Sequence, residues 1–355
     1  MSDPAAVEVP DLPTPSISVV VCSFNGADTL ATCLSALFAQ TARDQMQVIV
    51  VDDGSLDATA EVARRFDLEL IVFERNQGIS KARNAGIAAA RAPIVAFTDD
   101  DCVPSPEWCE RLLAAYERTD ATAVGGAIEV YRVESLVERY LVDNNPLAPL
   151  ELALSEQRSM VQRVALYVGG MWALPRSRPA RPVYSFPGAN MSFRRSTLDA
   201  IGGFDERMTF GADDEYICAK TRAHFPDAVL WFEPSAVVAH DFVGTWRDVI
   251  RRNYAYGRGH ARSYRFEPER GWPIVFPIPV LLLLAAARWR RSPRILLLPF
   301  VVQLLLPQGP VSAFHHHRAG NLVFSYVRLV EEFAHNAGML AGLADIRAGW
   351  AIRRS

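Results

Sequence analysis

The sequence predicts an α/β fold in which a mostly parallel central sheet is flanked by helices. Between residues 16 and 118, short apolar segments rich in β-branched residues alternate with segments of helical periodicity, as βαβ units do. The strand segments are apolar throughout, which indicates that helices cover both faces of the sheet. The chain has 355 residues, half of them hydrophobic, so it can form a large core.

The predicted elements follow one another in a regular order. Strands are expected at residues 16–22, 47–51, 68–73, 94–97 and 123–129. Helices are expected at 28–39 (with Asp28 as N-cap), 57–66, 78–90, 106–118 and 213–223. Two short strands are expected at 229–232 and 236–240. Residues 131–185 lack clear periodicity, so they are predicted to form a variable insertion on the acceptor side of the domain, or otherwise a loop.

Charge and composition divide the chain into three parts. Residues 1–15 are acidic and proline-rich, without the apolar stretch of a signal peptide, and are predicted to be a disordered lead-in. The main domain is expected at 16–245, and a basic, apolar, helical region at 246–355. From residue 241 onward sixteen arginines face seven acidic residues, although the whole chain carries a net charge of −3. This asymmetry favours a membrane surface as partner and does not favour nucleic acid.

Two apolar runs in the C-terminal region, at 272–287 and 295–306, are shorter than the ~20 residues that a membrane-spanning helix needs. The basic segment 288–294 between them would face outward in a hairpin entering from the cytosol, against the positive-inside rule. The sequence therefore predicts interfacial or re-entrant segments, with residues 246–314 touching the membrane. A buried helical hairpin that caps a soluble domain is the alternative.

Three consecutive carboxylates, Asp99, Asp100 and Asp101, follow the fourth predicted strand. Ligands of open α/β sheets bind at the carboxyl ends of strands, where this triplet is expected to lie. Adjacent carboxylates repel one another, and a divalent cation such as Mg²⁺ offsets that repulsion by taking oxygen ligands. On these residues alone, a solvated acidic turn is an equal alternative.

Polar residues also follow the other predicted strands. Ser23 and Asn25 come after the first strand and Asp53 after the second, where each could line a ligand pocket or belong to a turn or helix cap. Asn76 and Gly78 precede a helix whose N-terminus favours anions, and a glycine lets the backbone approach a ligand closely. These strand ends are expected to share one edge of the sheet.

A second acidic group, made of Asp213, Asp214 and Glu215, opens a predicted helix late in the chain. The helix dipole favours carboxylates in a first turn, so this group could be purely structural. His240 follows a short apolar strand, and a single histidine is as consistent with a structural role as with metal binding. Residues 251–262 mix arginine with tyrosine and could contact lipid phosphates or form a solvated helix.

Seven phrases of the chain, in this order and spacing, resemble the family 2 glycosyltransferases, which are inverting enzymes of the GT-A fold. The resemblance covers about residues 16–260, and the C-terminal tail lies outside the common fold. Cys22 stands where the family commonly has proline, and Asp213–Asp214 where Glu-Asp is usual. The phrases are SVVVCSFN (18–25), VIVVDDGSLDAT (48–59), NQGISKARNAG (76–86), FTDDDCVP (97–104), GANMSFR (188–194), GGFD (202–205) and GADDEYIC (211–218).

This resemblance implies a metal-dependent transfer of a sugar from a nucleoside-diphosphate sugar to an acceptor hydroxyl. Asp214 would be the general base. The donor nucleotide would contact Ser23, Asn25, Asp53, Asn76, Gly78, Arg83 and Asp99. Mg²⁺ or Mn²⁺ would be held by Asp99, Asp101 and His240, with Asp100 as spacer, or in the other register by Asp99 and Asp100. The acceptor or sugar would contact Gly188, Ala189, Asn190 and Asp213.

The implied partners are a nucleotide-sugar, a glycan or lipid-linked acceptor and the cytoplasmic side of a bacterial cell membrane. Other classes compete with this interpretation. A nucleotidyltransferase or a dehydrogenase needs a glycine-rich phosphate loop after the first strand, where this chain has CSFNG. A non-catalytic glycan-binding relative would not need the carboxylates that the resemblance assigns to metal binding and catalysis. This chain has all of them, which argues against such a relative. No QxxRW sequence occurs, which disfavours a processive synthase.

Overall fold

The computed structural model describes residues 14–152, 161, 165, 167–169, 179–209, 211–263 and 276–348. Its first part alternates strands and helices in the order β1 (Ile17–Ser23), α1 (Ala27–Phe38), β2 (Met46–Asp52), α2 (Thr59–Ala63), β3 (Glu69–Val72), α3 (Ile79–Ala89), β4 (Ile94–Asp99), β5 (Cys102–Pro104), α4 (Trp108–Arg118) and β6 (Ala123–Val130). The second part contains α5 (Leu136–Asp143), β7 (Arg181–Pro182), β8 (Met191–Arg194), α6 (Arg195–Ile201), α7 (Asp213–His224), β9 (Leu230–His240), α8 (Trp246–Ser263), α9 (Pro277–Trp289), α10 (Leu298–Leu305), α11 (Gln308–His315) and α12 (Phe324–Arg347).

Nine strands of the described ranges form one mixed sheet in the order β3-β2-β1-β4-β8-β6-β9-β5, with β7 also paired to β9. β1 to β4 are parallel to one another. β8 is antiparallel to β4 and β6, and β5 is antiparallel to β9. The prediction of a mostly parallel sheet is therefore correct for the first four strands and for the pair formed by β6 and β9, whereas β8, β5 and β7 run antiparallel to their neighbours. The antiparallel strands are short, and tertiary contacts rather than sequence pattern decide which neighbours they pair with.

The two faces of the sheet are both covered, as the continuous apolar strands require. β1 is buried along its whole length. Val19 and Val21 contribute to a core beneath α1 and α4 that includes Leu34 and Trp108. Val20 faces the opposite core, beneath α3, α6 and α7. Because β1, β2 and β4 are parallel and in register, they end side by side at one edge of the sheet.

Several local predictions need correction. Gly26, not Asp28, is the N-cap of α1, and Asp28 lies within the first turn. The two short strands predicted before residue 241 are one strand, β9, because a register shift opposite Gly126 and Ala127 accommodates Pro234 without ending the pairing. The insertion 131–185 contains a regular helix, α5, which begins with a capping box between Ser135 and Glu138.

The C-terminal helices pack against the rest of the protein through α12. This helix runs along α8 at very close range: a methyl group on Gly338 would lie 2.0 Å from the Tyr254 carbonyl oxygen, and one on Gly257 would lie 2.1 Å from that of His335. The other end of α12 joins α5, where Tyr140 and Phe324 stack edge to face with ring centroids 5.5 Å apart. The described helices after residue 245 are therefore packed on the main domain.

Within the described residues, no single helix combines the length and the apolar character needed to cross a bilayer. The segments Pro293–Leu305 and Gln308–His315 meet those criteria only when taken together, and they are bent by 60°. Residues 1–13 of the predicted lead-in, much of the 131–185 insertion and the first residues of the apolar run 272–287 lie outside the described residues.

Candidate active site

A cavity of about 750 Å³ lies at the edge where β1, β2 and β4 end. The predicted residues that line it are Ser23, Asp53, Asn76, Gly78, Arg83, Asp99, Asp101, Gly188, Ala189, Asp213, Asp214 and His240. These residues come from both halves of the chain, and the turn before β8, the start of α7 and the end of β9 bring the later group to the strand ends. Two predicted residues, Asn25 and Asn190, do not line the cavity.

Arg83 of α3 is the charged centre of the cavity wall. Its guanidinium pairs with Asp213 and with Asp99, the latter at 3.3 Å, and only 6% of its side chain is exposed. It also lies against the ring of Phe204, 5.3 Å from the centroid. A methyl group on Gly188 would come within 2.4 Å of the guanidinium, so glycine is needed for this packing. Arg83 thus joins the end of β4 to the start of α7.

One part of the cavity is built around the carboxylate of Asp53. Its two oxygens accept the backbone N–H groups of Gln77 at 2.7 Å and Gly78 at 2.9 Å. Gly78 has φ of 94°, a left-handed conformation that glycine adopts without strain, and it starts α3. Asp53, which the family resemblance assigns to the nucleotide, therefore also fixes the loop that carries Asn76 into the cavity.

The three aspartates after β4 have different surroundings. Asp99 is the partner of Arg83, and Asp100 accepts a hydrogen bond from the Ser23 hydroxyl. Asp101 lies beside His240, with 3.5 Å between its Oδ1 and the ring Nε2. Burial raises the pKa of Asp100 and of Asp101 to about 7, and the neighbouring carboxylates contribute to the rise. Close negative charges of this kind favour a bound cation.

The residues around Asp101 fit a divalent metal ion. Ligand atoms of Asp101, Cys102 and His240 all lie within 4.8 Å of one another. Burial lowers the pKa of His240 to about 4, so its ring is neutral at pH 7 and able to bind metal. Its buried Nδ1 has no hydrogen-bond partner among the described residues. Burial raises the pKa of the Cys102 thiol well above its usual value, which leaves the carboxylate and the imidazole as the better ligands.

Asp214 lies in another part of the cavity wall, in the first turn of α7. Its Oδ2 accepts the N–H of Gly188 at 2.9 Å, and its Oδ1 accepts the N–H of Glu215 at 2.8 Å. Burial, with repulsion from Asp213 and Glu215, raises the pKa of Asp214 to about 7. Ala212, just before α7, has φ of 58°, an unfavourable conformation for a residue with a Cβ. A carboxyl group held in this way can take up a proton near neutral pH.

Asn25 and Asn190 make structural contacts, and their predicted contact with ligands stays a prediction. Asn25 has φ of 55°, its N–H donates to Ser55 Oγ and its Oδ1 accepts from the N–H of Leu56, so it holds two loops together. Asn190 is completely buried: its amide accepts from Trp108 Nε1 and donates to two backbone carbonyls. Neither side chain lines the cavity.

Helix α8 contributes cavity residues that the motif analysis did not place there. Arg251, Tyr256 and His260 line the cavity together with Asp214. Burial raises the pKa of Tyr256, and Asp214 and Asp99 raise it further, so this phenol stays neutral between the two acidic groups. His260 contacts His335 of α12, with 3.0 Å between ring nitrogens. In the sequence, the mixture of arginine and tyrosine at 251–262 was the feature that drew attention to this helix.

Comparison with known proteins shows which proteins the chain is similar to. Residues 18–177 match the sequence profile of Glycosyl transferase family 2. The chain is 26% identical over 266 residues to glycosyltransferase AglE of Haloferax volcanii. The aligned region covers 71% of this chain and 75% of that protein. It is 33% identical over 262 residues to the pre-mycofactocin glycosyltransferase of Mycobacterium tuberculosis, covering 73% of this chain but only half of that longer protein.

The fold is similar to that of a solved enzyme. The mannosyltransferase PcManGT from Pyrobaculum calidifontis, solved in complex with GDP-Man and Mn²⁺, aligns with 93% of this chain and 88% of its own. The TM-score is 0.57 and the sequence identity 19%. At this identity the likeness concerns the fold, and it confirms the GT-A-like α/β architecture that the resemblance of the sequence implied.

Proposed function

We propose, from the match of residues 18–177 to the Glycosyl transferase family 2 profile, a metal-dependent, inverting transfer of a sugar from a nucleoside-diphosphate sugar to an acceptor hydroxyl. The broader prediction of a glycosyltransferase is confirmed by the profile and by the relatives. The observation that carries the finer proposal is that one cavity contains both a carboxylate–histidine pair and a separate buried carboxylate of raised pKa.

Asp101 and His240 would hold the metal ion, with Asp99 turned toward the donor. The neighbouring fold PcManGT was solved with Mn²⁺, which supports a divalent ion without deciding between Mg²⁺ and Mn²⁺. When bound, such an ion withdraws charge from the leaving diphosphate. The Ser23 hydroxyl donates a hydrogen bond to the carboxylate of Asp100 and fixes it, so Asp100 acts as the spacer of the triplet.

Asp214 would remove the proton from the acceptor hydroxyl. The N–H groups of Gly188 and Glu215 hold its carboxylate in place, so its orientation does not depend on the substrate. Inversion requires the acceptor to attack from the side opposite the leaving group, so the base and the metal pair must lie in different parts of the cavity. Asp214 belongs to α7, whereas Asp101 lies between β4 and β5 and His240 ends β9.

The residues that α7 and α8 contribute to the cavity, called here the acceptor side, are proposed to receive the acceptor. Arg83 would offset the repulsion between Asp99 and Asp213, because its guanidinium pairs with both. Tyr256 would offer a neutral hydrogen-bond donor on the acceptor side, since its phenol keeps its proton.

The acceptor is proposed to be a glycan or a lipid-linked sugar of the bacterial cell envelope, reached from the cytoplasmic side of the membrane. The basic and apolar character of the C-terminal region supports this placement. We keep the domain limits 16–245 and 246–355 as part of the proposal. Helix α8 lies after residue 245 in the sequence, but some of its residues line the cavity of the main domain.

Donor and metal binding can be tested with a thermal-shift assay. We expect one UDP-, GDP- or dTDP-sugar to raise the melting temperature only when Mn²⁺ or Mg²⁺ is present, because an ion held by Asp101 and His240 would offset the charge of the diphosphate. At 100 times Kd the stabilisation is about 2.7 kcal/mol. Asp101→Asn should abolish the metal-dependent part of the shift. Asp120→Asn, an exposed carboxylate away from the cavity, is the control. An unchanged shift with Asp101→Asn would contradict the metal assignment.

The rate of transfer should depend on pH through Asp214. The base works only when ionised, and its pKa is about 7, so kcat is expected to fall roughly tenfold per pH unit below 7 and to reach a plateau above it. The measurement uses saturating donor, acceptor and Mn²⁺, since a bound ion keeps the carboxylates of the metal site ionised. A kcat that stays constant from pH 5 to 8 would contradict the assignment of Asp214.

A further inference from the structure

The C-terminal helices expose many large apolar side chains on elements that contact one another. Helix α9, the turn Pro293–Leu297 and helix α10 contact one another, and α11 contacts α10. Phe300 and Leu304 are each 73% exposed, and Phe314 is 83% exposed. The full set, called here the apolar face, consists of Val280, Leu281, Leu283, Leu284, Ile295, Leu296, Leu297, Phe300, Leu304, Phe314, Leu322 and Val323. Monomeric soluble proteins rarely leave an apolar surface of this extent in water.

The charge of the segment that carries the apolar face has one sign, although Asp143 of α5 contacts His316 at the end of α11. The sequence from 277 to 330 contains no aspartate and no glutamate. It contains four arginines between α9 and the following turn, all of them exposed: Arg288, Arg290, Arg291 and Arg294. A second protein subunit would more commonly offer a mixed rim, whereas apolar side chains surrounded by cations complement the acyl chains and phosphates of anionic lipid.

We infer that the apolar face is a docking surface for an anionic lipid bilayer. Its leucine and phenylalanine side chains enter the boundary between headgroups and acyl chains, and the four arginines contact lipid phosphates. The bent pair Pro293–Leu305 and Gln308–His315 lies along the surface in this arrangement. The inference rests on the proposed function in one respect, because it names the partner surface of an enzyme whose acceptor belongs to the cell envelope.

Docking would also place the cavity at a fixed orientation to the bilayer. The apolar face is carried by helices that pack on α12, and α12 runs along α8 in glycine-mediated contact. Other residues of α8, Arg251 and Tyr256, line the cavity. The lipid surface and the acceptor side of the cavity are therefore connected through two packed helices.

Co-sedimentation of the full chain with vesicles tests the inference. We expect binding to phosphatidylglycerol vesicles that weakens with salt, and much weaker binding to phosphatidylcholine vesicles. The double variant Phe300→Ser with Leu304→Ser should bind at least about tenfold more weakly, since two exposed anchors are lost. The quadruple change of Arg288, Arg290, Arg291 and Arg294 to Gln should reduce binding to phosphatidylglycerol only. Val72→Ser and Val133→Ser remove exposed apolar side chains elsewhere and should bind as the parent does.

Three outcomes would overturn the inference. Equal, salt-independent binding to both vesicle types would remove the role of anionic lipid. A parent that is dimeric by light scattering, with a monomeric Phe300→Ser, Leu304→Ser variant and no vesicle binding, would assign the face to a second copy. Resistance to alkaline carbonate extraction would indicate spanning. A failure of the docking inference can be told apart from a failure of the proposed function. Asp214→Asn should bind vesicles as the parent does. The Phe300→Ser, Leu304→Ser variant should keep its metal-dependent shift in melting temperature with the donor.

Discussion

Asparagine in place of Asp214 is expected to reduce kcat for sugar transfer by about 10²–10⁴-fold, the range for loss of a general base. Asparagine keeps the size of the side chain and can still accept one of the two N–H groups now bound by the carboxylate. It cannot take a proton from the acceptor hydroxyl. The substitution also removes the repulsion between Asp213 and Asp214, so the variant should fold as stably as the parent.

The measurement for this variant separates chemistry from binding. kcat should fall while the Kd of the donor stays within about twofold, because Asp214 belongs to the proposed acceptor side of the cavity and not to the donor residues. Asp199→Asn is a matched control, since that carboxylate is 61% exposed on the surface of α6. Near-normal turnover by Asp214→Asn would show that another group is the base.

Replacement of Arg83 by methionine is expected to lower the free energy of unfolding by about 3–5 kcal/mol, because it leaves the buried carboxylate of Asp213 without its cation. Only 6% of the Arg83 side chain and 8% of that of Asp213 are exposed. Arg83 lowers the pKa of Asp213, so that pKa should be higher in the variant than in the parent. The loss should shrink as the pH is lowered from the variant's pKa to the raised pKa of the parent, because protonation removes the unpaired charge.

Chemical denaturation with a matched pair of variants measures this effect. Arg91→Met removes an arginine just after α3 whose salt bridge to Glu69 is exposed, with 60% and 40% of the two side chains in solvent. It should cost at most about 1 kcal/mol. Equal losses in the Arg83 and Arg91 variants would mean that the buried pair contributes no more than a surface pair. Donor binding should weaken in Arg83→Met alone, since Asp99 loses its partner too.

The first half of the fold was predictable because its strands can be recognised from their residue pattern alone. β1, β2 and β4 are continuous runs of β-branched and apolar residues, and the structure ends each within two residues of the predicted limit. Parallel strands bring their carboxyl ends to one edge, so Ser23, Asp53 and Asp99 had to meet there. Asp214 joined them through the likeness of a short phrase, and His240 through a role that the family resemblance implies, not through any periodicity.

The rest depended on contacts that no local pattern contains. The phrase GAN at 188–190 does not distinguish Gly188, which faces the cavity, from Asn190, which bonds to Trp108 in the core. The position of Tyr256 follows from the close packing of α8 on α12, a match of glycines far apart in the chain. The sequence also did not predict that β8 runs antiparallel to its neighbours, because a strand of four residues carries little β-propensity by itself.

Helix α8 has a consequence for how such enzymes can be recombined. Some of its residues line the cavity, and others are locked against α12 with almost no space between the backbones. The tail is therefore not an interchangeable anchor. A chimera joined after β9 would exchange part of the cavity wall together with the tail, whereas one joined after α8 would need matching glycines on both helices.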